Sequence, residues 1–205
     1  MVADTSFIDK KVLVFDLDGT IVKLTAEWHA LKTVLSNRFH ERFGKVCEFK
    51  SISSCLEEIV RRDDEEELNR NFDLIRKYEL DNIEDTEPVD EIIYFIKHLS
   101  SFGISQDIKI AVFSLNTRET ILRSLRLVGL SNEVDIIVGR EDVRSWKPHP
   151  DGLLIIQEYF GVTSRDMIYF GDMKKDLIAG KNAAIDAYLV DDLIKFIERS
   201  RKKRE

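Results

Sequence analysis

The stretch KVLVFDLDGTI, residues 11–21, decides the fold. Val12, Leu13, Val14 and Phe15 form an unbroken apolar run, and two aspartates one residue apart end it. Strands of a parallel sheet, buried on both faces, read in this way. Asp16 and Asp18 repel each other, so the pair either caps a turn or holds a cation and does chemistry. Asp-Gly is a common turn dipeptide. Asp-x-Asp-Gly-Thr, however, fixes four residues and arises by chance only about once in 10⁵ windows.

Similar runs follow along the chain. Residues 108–113 lead to Ser114, 134–138 to Gly139, and 167–170 to Gly171-Asp172, with a fifth run over 187–190. Between them lie helical patterns: Val89, Ile92, Ile93, Ile96 and Leu99, then 120–128, 153–160 and 177–184. Strand and helix alternating in this manner predict a parallel α/β sheet with crossover helices, and ligands bind such sheets at the carboxyl ends of their strands. Residues 23–85 contain no convincing strand. Trp28, Leu31, Leu35, Phe39 and Phe43 form one helical stripe, closed by Gly44. Leu68, Phe72 and Ile75 form another, on a helix opening near the acidic run 63–67, whose charges complement the helix dipole. The polar stretch 81–88 reads as a linker. The expected organisation is a discontinuous α/β core, residues 1–22 and 86–205, interrupted by a helical insert over 23–85.

Bulk composition narrows the function classes. The chain has 205 residues, 43% hydrophobic and 34% charged, as a globular protein does, and its net charge of −7 argues against a nucleic-acid binder. The basic tail Arg199, Arg201, Lys202, Lys203 and Arg204 reads as a solvated helix end. Cys47 and Cys55 stand in no metal-like spacing and support neither a disulfide framework nor a zinc site. With no signal-peptide pattern and no apolar run long enough to span a bilayer, a reducing cytoplasm is the expected location, and a monomer or homodimer the expected state.

Chemistry gathers at four strand ends. Ser114 precedes a helix start where Asn116 and Glu119 fit a capping box; free N–H groups there suit phosphate. Lys147 lies between a tryptophan and Pro148-His149-Pro150, on a loop stiff enough to aim an ammonium that offsets phosphate charge. Asp172 and Asp176 sit four apart at a strand-to-helix junction. Structurally they could be a helix cap and a solvated partner of Lys175 or Lys181. Acids at two strand ends beside a lysine and a serine instead suggest cation-assisted phosphoryl chemistry, since magnesium takes one or two carboxylates with phosphate and water.

With these four elements in this order, the chain resembles the haloacid dehalogenase-like hydrolase superfamily. FDLDGT is similar to its first motif, Ser114 to the second, Lys147 in KPHPD to the third and GDMKKD to the fourth. The resemblance implies a Rossmann-like parallel-sheet core with an inserted α-helical cap domain, in the branch of phosphoglycolate phosphatases and β-phosphoglucomutases. It implies Asp16 as nucleophile forming an aspartyl-phosphate, and Asp18 as the acid and base that serves the leaving oxygen and then water. Magnesium would be held by Asp16, the backbone carbonyl of Asp18, Asp172 and Asp176; Ser114, Lys147 and Thr20 would serve the phosphoryl group and its turn. The expected activity is a magnesium-dependent phosphatase acting on a small phosphorylated metabolite of the phosphoglycolate or sugar phosphate class. A phosphomutase and a catalytically silent binding module are the alternatives. The chain departs from the family pattern at Lys23, Leu115 and Ala184, where an acid, a polar residue and a glycine are frequent. Within the insert, Lys23, His29, Arg38 and Arg42 are candidates for choosing the leaving group, with Trp28 read as packing and His40 and His149 as surface residues.

Overall fold

The computed structural model describes residues 2, 4–7, 9–47, 49 and 51–202. In chain order its elements are β1 (Val12–Phe15), β2 (Val22–Lys23), α1 (Trp28–Phe43), α2 (Ile52–Val60), α3 (Glu65–Leu80), β3 (Glu87–Pro88) and α4 (Asp90–Lys97). Then come β4 (Lys109–Phe113), α5 (Arg118–Leu127), β5 (Ile136–Val138), α6 (Asp151–Phe160), β6 (Met167–Gly171), α7 (Lys174–Asn182), β7 (Asp186–Leu189) and α8 (Val190–Lys202). Lys203 and Arg204 of the basic tail lie outside the described residues.

Five strands form one sheet in the order β5-β4-β1-β6-β7, and every pairing in it is parallel. β1 lies at the centre, and all four of its side chains are fully buried. Burying each is worth about 2 kcal/mol, which is why the run carries no polar residue until the strand ends. Successive side chains serve opposite layers. Leu13 and Phe15 join a cluster with Ile92, Phe95, Leu125 and Phe196, drawn from α4, α5 and α8. Val12 and Val14 join the other, with Leu153 and Ala179 from α6 and α7. The second cluster continues into the insert through Leu31, Leu35, Leu56 and Phe72, and Phe72 meets the Trp146 ring edge-on at 6.3 Å.

The insert follows the expected stripes with three differences. α1 closes at Gly44, whose φ of 62° is the left-handed turn expected of it, and α3 opens at Asp64, which accepts from the Glu67 N–H. α2 was not anticipated, although Ile52, Cys55, Leu56 and Ile59 are spaced for one buried helical face. The expected linker contains β3, which pairs antiparallel with β2 through Val22–Pro88 and Lys23–Glu87, so a short ribbon joins insert to core. Cys47 and Cys55, whose spacing suggested no disulfide, are joined by one, with their Cα atoms 6.2 Å apart.

Candidate active site

Parallel strands end on one edge, so β1, β4, β5 and β6 deliver Asp16, Ser114, Gly139-Arg140 and Asp172 to one side of the sheet. The loop after β1 is tight: the N–H groups of Thr20, Ile21 and Val22 all point to the Leu17 carbonyl. Gly19 makes this possible twice over. Its φ is +79°, and a Cβ there would stand 2.5 Å from Asp172 Oδ2. The β1 and β6 loops can therefore touch only through a glycine.

The carboxylates of Asp16, Asp172 and Asp176 each place an oxygen within 4.8 Å of the others. Lys147 Nζ lies 3.0 Å from Asp16 Oδ1 and 2.9 Å from Asp176 Oδ1, with its ammonium over the Phe113 and Tyr169 rings. Asp16 Oδ1 also accepts from the Leu17 N–H at 2.8 Å. Asp176 is fully buried; it accepts from the Tyr169 hydroxyl at 2.8 Å and the Met173 N–H at 3.0 Å, so it is no solvated partner of Lys175 or Lys181. The lysine counter-charge holds Asp176 below the usual carboxylate range against the effect of its burial. Asp172 is raised to about 6 by burial and by the charges of Asp16 and Asp176. Asp18 is likewise raised to about 6, chiefly by burial, with the Leu24 N–H, 2.9 Å from its Oδ1, opposing the shift. This donor set of clustered, under-neutralised carboxylate oxygens fits a hard divalent cation.

A cavity of about 480 Å³ opens over these groups, a volume suited to a small molecule. Asp16, Asp18, Ser114, Asn116, Arg140, Asp172 and Lys175 contribute from the core, and Trp28, Lys32 and residues 51–53 from the insert. Lys147 and Thr20, expected to serve the phosphoryl group and its turn, are buried and do not line the cavity; Lys147 stands behind Asp16, and Thr20 serves the loop. The expected capping box at α5 is not formed. The cap is Thr117, and Asn116 instead accepts from the Ser114 hydroxyl at 2.8 Å and donates to Glu79 at 2.9 Å. Glu79, from α3, also accepts from the Thr117 N–H and hydroxyl, tying the insert to the β4 loop.

None of Lys23, His29, Arg38 and Arg42 lines the cavity. Lys23 and His29 are exposed, Arg42 is bonded to Asp64, and Arg38 grips Glu67 with two nitrogens at 2.7 Å. At about 1.5 Å of rise per residue, Arg38 and Arg42 lie roughly 15 and 21 Å along α1 from Trp28, which does reach the cavity. Arg140, Glu79, Asn116, Lys32 and Lys175 were missed. For Arg140 the signal was present, because it follows the strand end at Gly139 and the strand-end rule applies there too.

The haloacid dehalogenase-like hydrolase family model matches residues 13–190. The chain belongs to this family. A pyrophosphatase, PpaX, of Halalkalibacterium halodurans is 27% identical over 184 residues, covering 87% of this chain and 82% of that protein. Among solved structures, a predicted phosphoglycolate phosphatase from Haemophilus somnus aligns with a TM-score of 0.58 at 16% identity, over 90% of this chain and 89% of that one. A HAD phosphatase from Thermococcus onnurineus gives 0.54 at 21% identity, over 86% and 84%. These structural likenesses carry the fold, which the parallel sheet shares.

Proposed function

We propose that this hydrolase is a magnesium-dependent phosphatase of small phosphorylated metabolites, working through an aspartyl-phosphate on Asp16. The observation that carries the reading is the division of labour between Asp16 and Asp18. Asp16 Oδ1 accepts from the Leu17 N–H and lies 3.0 Å from Lys147 Nζ, which fixes the carboxylate for attack. Asp18, raised to about 6, holds a proton far more readily than an ordinary aspartate. Asp16 then attacks phosphorus while the bond to the leaving oxygen breaks, and Asp18 supplies that oxygen's proton. In the second step Asp18 takes a proton from water, water attacks the acyl phosphate, and inorganic phosphate leaves with Asp16 restored.

Asp16, Asp172 and Asp176 would hold the magnesium, which when bound supplies positive charge to the transferring phosphoryl oxygens. Ser114, Leu115 and Asn116 line the same cavity, and the Ser114 hydroxyl suits the phosphoryl group. Lys147 bridges Asp16 and Asp176 and holds the Asp176 carboxyl below the usual range against the effect of its burial. Residues 23–85 act as a cap: Trp28, Lys32 and residues 51–53 roof the site and limit it to small substrates.

The test is phosphate release from p-nitrophenyl phosphate with and without magnesium, by wild type and Asp16→Asn. Magnesium-dependent turnover that falls at least about 10³-fold in the variant is expected. Equal release by the two proteins would falsify the aspartyl-phosphate mechanism.

A further inference from the structure

Arg140 is a cavity residue that the proposed chemistry leaves without a task. It begins the short turn after β5, where its backbone is pinned on both sides: its N–H donates to the Asn116 carbonyl at 2.9 Å, and its carbonyl accepts from Trp146 Nε1 at 2.9 Å. The residue is only 4% exposed, yet Nε and Nη1 are buried without a hydrogen-bond partner. Among the described residues no carboxylate forms an ion pair with it. Glu79, and after it Glu141, are the acids that act on it electrostatically, but both Glu79 oxygens are occupied by Asn116 and Thr117. A buried guanidinium with unfilled donors is costly unless something fills them. The cavity beside it is the space that also holds Ser114 and Asp16.

We propose that Arg140 binds a second anionic group of the substrate, so that the enzyme selects phosphorylated compounds bearing another phosphate or a carboxylate over those with neutral leaving groups. This rests on the phosphatase reading of the same cavity. The chemistry of the side chain supports it, because the planar fork of arginine matches the paired oxygens of carboxylate and phosphate, and it stays charged when buried where lysine would readily give up its proton. The place supports it too. Arg140 N–H is bonded to the loop that carries Ser114 and Asn116, and all three residues line the one cavity. Lys32, from α1, also lines this cavity and adds positive charge on the roof.

Matched substrates read the effect. 2-Phosphoglycolate differs from 2-hydroxyethyl phosphate by a carboxylate in place of a hydroxymethyl group, and propane-1,3-diyl bisphosphate differs from 3-hydroxypropyl phosphate by a second phosphate, the reacting bond being an alkyl ester in all four. Wild type is expected to show kcat/KM at least about tenfold higher on the anionic member of one pair or both, the pair identifying which anion is taken. In Arg140→Lys, which keeps the charge but loses the fork, that ratio is expected to fall about tenfold or more. A wild-type ratio near one on both pairs overturns the proposal whatever the variant does, including a variant that does not fold. A variant that loses activity equally on both members also overturns it, since a structural role alone does that. In either case Asp16-dependent hydrolysis would persist and the phosphatase reading would stand. No phosphate release by wild type from any of the four compounds overturns both.

Discussion

Two charge clusters in this molecule are built in opposite ways. In the insert, Glu67 is 2% exposed and faces Arg38 in a two-nitrogen grip, while Asn71 Nδ2 donates to the same carboxylate at 2.8 Å. Charge is matched there, although Arg38 Nε and Asn71 Oδ1 are buried without a hydrogen-bond partner. At the strand ends Asp16, Asp18, Asp172 and Asp176 gather around Lys147 and Lys175, with Arg140 and Lys32 lining the same cavity. Lys147 pairs with Asp16 and Asp176, and the other two acids are raised to about 6 in consequence of burial and mutual repulsion. A balanced buried pair holds a fold together, whereas an unbalanced one is a site waiting for a cation and an anion.

Removing each cation tests the contrast most severely. Lys147→Met strips Asp16 and Asp176 of their shared counter-charge and is expected to cost roughly 3–5 kcal/mol. It should also abolish turnover. Arg38→Met leaves Glu67 with Asn71 and with solvent reaching past a side chain that was 29% exposed, so roughly 1–3 kcal/mol is expected. Urea denaturation reads both losses, and kcat measured on the folded fraction reads function. Arg38→Met should stay within about twofold of wild type. If it stays folded yet loses activity, the separation of a structural cluster from a catalytic one fails.

Between the two clusters stands Glu79, which belongs to the insert but bonds to the core. Burial raises its carboxyl above the ordinary 4.5, with Arg140 pulling the other way. The folded state therefore holds this proton more tightly than the unfolded chain does. The stability it contributes is complete below the ordinary carboxylate range and is lost as pH rises through the raised value. Glu79→Gln cannot ionise. It loses one acceptor, at about 1–2 kcal/mol near pH 5, and its deficit relative to wild type should narrow as pH rises. Urea midpoints between pH 5 and 8 decide the matter. A deficit that widens with pH would mean that attraction to Arg140 outweighs desolvation, and that Glu79 acts as half of an ion pair.

The same contrast explains what could be read in the sequence. A parallel strand has one direction, so the residue after each apolar run must arrive on the ligand-binding edge. Asp16, Ser114 and Asp172 were legible for that reason. A helical stripe shows which side is buried but not which polar residue lies over a distant strand end. His29 and Arg42 in the insert therefore looked as eligible as Lys32, although only the last lines the cavity. Lys147 was found, but its position behind Asp16 depends on how the Pro148 loop packs over Phe113 and Tyr169, which no local pattern encodes. Glu79 meets Asn116 across 37 residues of sequence, and such pairs are invisible until the sheet and insert are assembled. α2 was a different kind of miss, because its spacing was present and complete.

One departure from the family pattern gains a physical meaning from the backbone, and it gives the smallest expected effect. Ala184 follows the end of α7 with φ at +57°, a left-handed conformation in which its Cβ is strained, and the residue is exposed. Its N–H still bonds the Lys181 carbonyl at 3.1 Å, so the turn is made despite the strain. Glycine would relieve the Cβ clash, while its greater freedom in the unfolded chain offsets part of the gain. Ala184→Gly should accordingly stabilise the protein by about 0.5–1 kcal/mol, read as a shift in urea midpoint. Turnover should not change, because the residue lies away from the cavity lining. A destabilised variant would mean that chain entropy outweighs backbone strain at this turn. Alanine here would then be the better residue for the fold, and the departure from glycine would carry no cost that needs explaining.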